Sequence, residues 1–417
     1  MQELISKFDH VFIDELARGS AVAERFMSAF PSTKISFVTE TPFSESRGEL
    51  SAREFDRSKR NLFVTPFKGQ FFKRCPGSRP GLACCNYFVL NWGLQCDMNC
   101  SYCYLQSFIN TPALTIYSNL DSALAELRAM GAVAVAGSCR DGSSPRATLA
   151  NSKMRIGTGE TVDSLSLDPL TLYSHKLIEF FREYPAWTLE FKTKSAYVEQ
   201  FLDVEHAGNV IVSWSINPQH IIESEEHGTA SLAQRLAAAS KCLDKNFQIA
   251  FHIDPMIWHP EWQVNYGALV DEVCRRFTPE QIPYLSVGGL RFQPEQRAIM
   301  RERFGMNSYV TRSETFPSQD GKLRYDTKLR QEMFSFVINR FKQHSAAWRI
   351  FICMETPETW LQAAGGSPFK DHSLHELFDR VPLTARHMIE SGRGANVAEG
   401  DLVAKKSGSH MSLARLP

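Results

Sequence analysis

The chain has 417 residues, balances 46 Lys and Arg against 46 Asp and Glu, and is 43% hydrophobic and 22% charged. That length allows two or three domains around a sizeable core; the neutral charge argues against a strongly basic nucleic-acid binder, though it leaves room for a local basic patch. No apolar run is long enough to span a bilayer, and Met1 to Asp14 lacks a signal peptide's basic start and apolar run, so a cytoplasmic protein is expected, whose ten cysteines are metal ligands or buried thiols.

In chain order, residues 1–60 read as a small α/β segment: a strand at His10–Asp14, a helix at Ala21–Phe30 and a strand at Lys34–Val38. Residues 61–380 then alternate strand-like and helix-like runs. Strands are predicted at Tyr87–Leu90, Met154–Ile156, Thr188–Lys192, Val210–Ser215, Ile249–Ile253 and Leu285–Gly289. Helices are predicted at Ser122–Met130 with Asp121 as cap, Pro169–Phe181, Val198–Leu202, Leu232–Leu243 and Tyr266–Arg276. Repeated βα units imply a parallel sheet, open or curled into a partial barrel. Residues 381–417 lose periodicity and read as a disordered tail.

Cys96, Cys100 and Cys103 form a C-x3-C-x2-C array directly after a predicted strand. Three thiolates on one short loop hold three irons of a 4Fe–4S cluster and leave the fourth open to a small ligand. An open iron suits S-adenosyl-L-methionine, whose amino and carboxylate groups bind it. The plainer alternatives are a zinc site or three buried thiols, but zinc wants a fourth protein ligand and no such partner follows at finger-like spacing. Tyr102, the aromatic before the last cysteine, joins the candidate catalytic residues.

With Tyr104-Leu-Gln106 after it, this loop resembles that of the spore photoproduct lyase family of radical S-adenosylmethionine enzymes. The likeness continues through Phe12-Ile-Asp14, Thr193-Lys194, Ser215-Ile-Asn217, His227-Gly-Thr229 and Ile257 to Trp262, covering about residues 8 to 360. It implies a partial (β/α)6 barrel with a small N-terminal α/β segment and a C-terminal hairpin and helix extension. It further implies a 5′-deoxyadenosyl radical that takes hydrogen from a thymine dimer in DNA to reverse it, and an electron donor such as flavodoxin or ferredoxin. By position, Lys194 and Ser215 match residues that contact S-adenosylmethionine. The competing reading of Lys194 is an exposed surface charge; for Asn217, a turn before Pro218 competes with a cofactor contact.

The chain departs from the family where a cysteine should return a hydrogen atom to the product radical. Here it reads Gly157-Thr-Gly159-Glu160-Thr-Val162-Asp163, with Glu160 in the cysteine's place. A thiol has a weak S–H bond, and a carboxylate does not donate hydrogen atoms. Either Gly157, Gly159 and Glu160 cradle the cofactor and accept from its ammonium group, or Cys139, on a glycine- and serine-rich stretch, takes over as donor. Cys75, Cys84 and Cys85 read as structural thiols, Cys242 and Cys274 as core, and Cys353 as a buried strand residue. The pairs His252 with Asp254 and His259 with Glu261 fall at or after a strand end and could line a barrel mouth.

In the family a basic hairpin grips damaged DNA, and Lys322, Arg324 and Tyr325 match its place; the competing reading is a solvated hairpin beside Asp320 and Asp326. Arg53 to Arg60, with Lys59, could add phosphate contacts. Three functions are therefore weighed: a radical lyase on a DNA lesion, the same machinery on another substrate, and an iron–sulfur protein that binds DNA or a partner without turnover.

Overall fold

The computed structural model describes residues 1–41, 50–79, 81–83, 85–133, 148–366 and 377–378. The strands run in chain order β1 His10–Asp14, β2 Ile35–Val38, β3 Asn61–Thr65, β4 Phe72–Arg74, β5 Tyr87–Leu90, β6 Gly93–Leu94, β7 Asn99–Cys100, β8 Leu114–Tyr117 and β9 Arg155–Gly157. They continue with β10 Thr188–Thr193, β11 Val210–Ser215, β12 Glu226–His227, β13 Gln248–Met256, β14 Leu285–Gly289, β15 Arg291–Phe292, β16 Phe316–Pro317, β17 Leu323–Arg324 and β18 Ile350–Ile352.

The main sheet has the order β18-β14-β13-β11-β10-β9-β5-β4, and every pairing from β5 to β18 is parallel. Helices Tyr173–Arg182, Leu232–Asp244, Trp262–Arg276 and Thr327–His344 lie between successive strands, which makes the curled α/β half-barrel implied by the βα alternation. All six residues of β11 are buried, as expected of a strand covered on both faces. A second sheet, β2-β1-β3-β8-β6, packs beside the first and takes three of its strands from beyond residue 60. Because β6 follows β5 after two residues, the chain steps directly from one sheet to the other.

Three local expectations need correction. The run Pro169–Phe181 is two helices, Asp168–Thr171 and Tyr173–Arg182, broken where Leu172 turns left-handed at φ 50°. Asp168 then receives the Ser174 amide and hydroxyl at 2.9 and 2.6 Å, so a buried carboxylate starts the second helix. Residues 198–202 form turns instead of a helix. Asn119, not Asp121, stands at the N-cap of Leu120–Gly131, where its amide grips the Phe67 backbone.

The concave face of the barrel sheet is polar. Arg155 donates to Glu190 at 2.6 Å, and its guanidinium lies over the rings of Tyr87, Tyr284 and Phe351. Glu190 also accepts from Ser213 at 2.7 Å and meets His252 at 2.9 Å, and the other His252 nitrogen meets Ser286. Burial first, then the positive charge of Lys192, pushes His252 down to about 4, so it is neutral at physiological pH. A strap, residues 75–79 and 81–83, joins the two edges of the half-barrel sheet. Cys75 donates its amide to Tyr87 at one edge, and Ala83 donates to Glu355 beyond β18 at the other, both at 2.9 Å.

Candidate active site at the barrel mouth

The cysteine loop is held from several directions. Lys59, almost fully buried, donates to the carbonyls of Cys96 and Met98 at 2.7 and 2.6 Å, and Lys7 pairs with Asp97 at 3.2 Å. Strand β7, which contains Cys100, pairs antiparallel with β12. Gln296 donates to the carbonyls of Tyr102 and Cys103 at 3.2 and 3.1 Å. Lys59 is thus spent on backbone inside the protein and does not reach outward to a phosphate.

Burial pushes Cys100 up to about 12 and Cys96 well above the usual thiol value. A bare thiol there stays protonated, and Lewis-acidic irons are what would hold it as thiolate. Among the described residues, no three His, Cys, Asp or Glu side chains converge on a single ion. Three thiols spread over one loop without a fourth ligand instead fit a cluster that spans three separate irons.

Glu226 organises the ground behind the loop, and no local pattern announces it, because its partners come from distant segments. It is buried, accepts from the Tyr102 hydroxyl at 2.5 Å and from Asn217 at 3.0 Å, and pairs with fully buried Arg235 at 2.7 Å. Burial alone would raise its carboxyl, yet Lys194 and Arg235 hold it below the ordinary value. Lys194 is half-buried with its ammonium 5.7 Å from the Tyr102 ring centroid, so it is not a plain surface charge. Ser215 is buried at the C-terminal end of β11, and its carbonyl accepts from Arg235 at 2.7 Å. Asn217 donates its amide nitrogen to Glu226 and the Pro255 carbonyl, and its amide oxygen accepts from the Tyr266 hydroxyl at 2.9 Å.

The segment after β9 lies against this site. Gly157 is required by contact, since a Cβ there would stand 1.4 Å from the Tyr87 hydroxyl. Gly159 is required by conformation, with φ at +121°. Asp163 accepts from the Leu165 and Ser166 amides, the Thr193 hydroxyl and the Lys194 amide, tying the segment to the end of β10. Glu160 pairs with Lys73 at 2.9 Å and accepts from Asn91 at 2.7 Å, while its carbonyl accepts from the Tyr104 hydroxyl at 2.7 Å. The sequence carries no signal for Lys73, whereas Tyr104 stands next to Cys103 in the loop that carries the family resemblance. Cys139 lies outside the described residues, as does Cys84. Gly157→Ala is expected to cost several kcal/mol, on the order of overpacking a core; denaturant unfolding checks it, and Tyr87→Ala added to it should restore part of the loss.

The hairpin differs from its expected role. Arg324 is 1% exposed and grips both oxygens of Asp320, and Tyr325 is 2% exposed with its hydroxyl accepting from the Trp258 amide at 3.0 Å. Both are turned inward by these partners, so neither presents to DNA as expected. Lys322 is half-buried at the turn.

His252 belongs to the concave-face network. His259 is buried against its own loop, its ring nitrogens meeting the Ile257 carbonyl and Asn265. Cys353 follows β18, Cys242 is buried, and Cys274 is partly covered.

A curled α/β half-barrel with a three-cysteine loop at its mouth is the architecture of radical S-adenosylmethionine enzymes. One solved structure, a spore photoproduct lyase variant with bound AdoMet and dinucleoside spore photoproduct, superposes with a TM-score of 0.66 at 22% identity, covering 84% of this chain and 98% of that one. A profile described as spore photoproduct lyase matches residues 7–332, and the chain belongs to that family. It is 28% identical over 212 residues to spore photoproduct lyase of a Geobacillus species, a match that spans 50% of this chain and 58% of that relative. With the Bacillus subtilis spore photoproduct lyase it is 24% identical over 267 residues, 63% of this chain and 72% of the relative. Among the described residues, no helix is long and apolar enough to cross a membrane.

Proposed function

We propose that the chain is a radical S-adenosylmethionine lyase that reverses a thymine-dimer lesion in DNA. The observation that carries this reading is the cysteine loop: three thiols, with no fourth ligand among the described residues, held by Lys59, Gln296 and the β7–β12 pairing. Cys96, Cys100 and Cys103 would hold a 4Fe–4S cluster. When bound, the cluster and S-adenosyl-L-methionine supply a carbon radical that takes a hydrogen atom from the substrate. Lys194 offers its ammonium to a carboxylate beside Cys100, and Ser215 a hydroxyl at a strand end. Gly157 and Gly159 let the backbone approach the cofactor, and Glu160 accepts from an ammonium group. Tyr102 orients Lys194 and the loop through Glu226. A small electron-transfer protein such as flavodoxin or ferredoxin would reduce the cluster, and the cytoplasm is the expected location.

A second reading, the same machinery acting on a different substrate, is favoured by one observation. Glu160 stands where a hydrogen-donating thiol is expected, and its carboxylate is fixed by Lys73 and Asn91. An iron–sulfur protein that binds without turnover is the third.

The deciding experiment is anaerobic reconstitution, reduction with dithionite and an assay for 5′-deoxyadenosine with and without DNA containing spore photoproduct. Formation of 5′-deoxyadenosine together with restored thymine is the expected result. 5′-Deoxyadenosine with an intact lesion selects the second reading, and no 5′-deoxyadenosine selects the third.

A further inference from the structure

The cysteine loop is supported from two sides. On the side of the barrel strands, Cys100 lies under the charges of Lys194 and Glu226. Cys96 and Cys103 instead pack against a small apolar cluster of Phe55, Leu105 and Ile109, separate from the main core. Two helices carry that side: Ala52–Ser58, which supplies Phe55, and Gln296–Phe304, whose Gln296 holds the loop carbonyls. Arg303 locks them together. It reaches Asp56 on the first helix at 2.5 Å, Gln106 just after Cys103 at 2.6 Å, and Asn99 beside Cys100, and its guanidinium lies 4.6 Å from the Phe55 ring centroid. On this side a single helix lies between Cys96 and solvent, with Phe55 turned to the loop and Arg53 and Arg57 turned outward.

The charge of this face departs from that of the whole chain. Residues 51–60 and 295–304 hold seven Lys and Arg against four Asp and Glu, in a chain that balances 46 against 46. Two of those acids are spent within the fold, since Glu54 accepts from the Ser51 hydroxyl at 2.7 Å and Asp56 holds Arg303. Arg53 and Arg57, one helical turn apart, are exposed, and among the described residues neither has an ion-pair partner. Arg301 on the second helix is exposed and reaches the Thr311 carbonyl at 3.4 Å, with no acid beside it among the described residues. The ring of Phe108 is 59% exposed; it follows Ser107, which meets Gln296 at 3.4 Å, and precedes Ile109, which packs on Phe55.

We propose that this face, formed by Arg53, Arg57, Arg301 and Phe108, docks the reduced electron carrier, a small protein with an acidic rim around its redox group. The proposal rests on the reading of the loop as a 4Fe–4S site. The electron has to enter from outside, and among the described residues no other three His, Cys, Asp or Glu side chains converge on a relay metal. The carrier must therefore come up beside the loop itself. One electron leaves the carrier and reduces the cluster, and cleavage of S-adenosyl-L-methionine consumes it. Cations around an exposed aromatic ring suit a brief encounter of this kind, small in area and steered by charge. Duplex DNA is the competing partner. It gains nothing from nearness to the thiols, and exposed Glu295 and Glu302 would repel its phosphates.

The test titrates a bacterial flavodoxin into the reconstituted protein by calorimetry at low ionic strength. Arg53→Glu combined with Arg57→Glu is expected to raise the dissociation constant about tenfold, and added salt should weaken the unsubstituted pair towards the same value. Arg301→Glu should add to the loss, while Arg53→Lys combined with Arg57→Lys keeps most of the affinity. Formation of 5′-deoxyadenosine is the second readout. The double charge reversal should raise the KM for flavodoxin about tenfold and leave the rate with dithionite, which needs no docking face, unchanged. Absent or unaltered flavodoxin binding, or an equal loss of rate with both reductants, overturns the proposal. So does a double variant that loses affinity for duplex DNA and keeps it for flavodoxin. If dithionite yields no 5′-deoxyadenosine, the reading of the chain as a radical enzyme fails, and the calorimetric comparison alone decides the docking face.

Discussion

Cys100→Ala is expected to lower the iron bound after reconstitution from about four per chain to well under about one, with loss of the cluster's visible absorbance. Cys100 is one of three thiols on the loop, and no other described His, Cys, Asp or Glu completes a site with the two that would remain. The fold should survive, because β7 is tied to β12 by backbone pairing and the loop carbonyls are held by Lys59. A change in unfolding free energy of no more than about 1 kcal/mol in the iron-free protein is therefore expected, since the substitution removes only a small side chain. Cys75→Ala is the control: it sits on the strap, and its replacement should leave the iron content unchanged. Full iron in Cys100→Ala, or iron that depends on Cys75, would move the cluster elsewhere.

Glu226→Ala carries the largest expected stability effect, about 3–5 kcal/mol, because it strips the partner from a buried charge. Arg235 would be left fully buried with carbonyl and hydroxyl partners alone, and the Tyr102 hydroxyl and one Asn217 donor would lose their acceptor. Denaturant unfolding of the iron-free protein measures this apart from any effect on the cluster. The same residue predicts a pH dependence. Its native carboxyl is held below the ordinary value of 4.5, so its contribution is fully present above the unfolded value and is lost as pH falls through the lower native one. Asp320, brought to about 2 with Arg324 beside it, acts in the same direction. The protein should accordingly lose stability as pH falls from about 4.5 towards about 2. The gap between it and Glu226→Gln should narrow over that window; a constant gap would mean that the carboxylate is not held by its cations.

The strands of the barrel were legible because each is a short apolar run whose burial is decided locally. β5, β11 and β14 occupy the residues predicted for them, and β10 and β13 extend theirs by one to a few residues. Helices were legible where a full apolar face repeats and not where one residue intervenes: Leu172 splits its helix by turning left-handed, and leucine gives no warning of that in a sequence. The inward turn of Arg324 was half visible, since Asp320 lies four residues before it, but Glu355, at 4.0 Å, comes from another part of the chain. A basic residue in a hairpin reads as exposed until its acids are located in space.

What the sequence determined by itself was chemistry carried on short spacing. Cys96, Cys100 and Cys103 lie within eight residues, so any fold of that loop keeps the three thiols near one another, and Gly157-Thr-Gly159-Glu160 carries its own conformational requirement. What only the tertiary structure decided was charge pairing between distant segments. Lys73 reaches Glu160, Arg235 reaches Glu226, and Arg291 reaches Asp254. The physical reason is that an ionic side chain is satisfied by whatever charge the fold brings within a few ångströms, a distance that sheet order and strand register set and sequence separation does not.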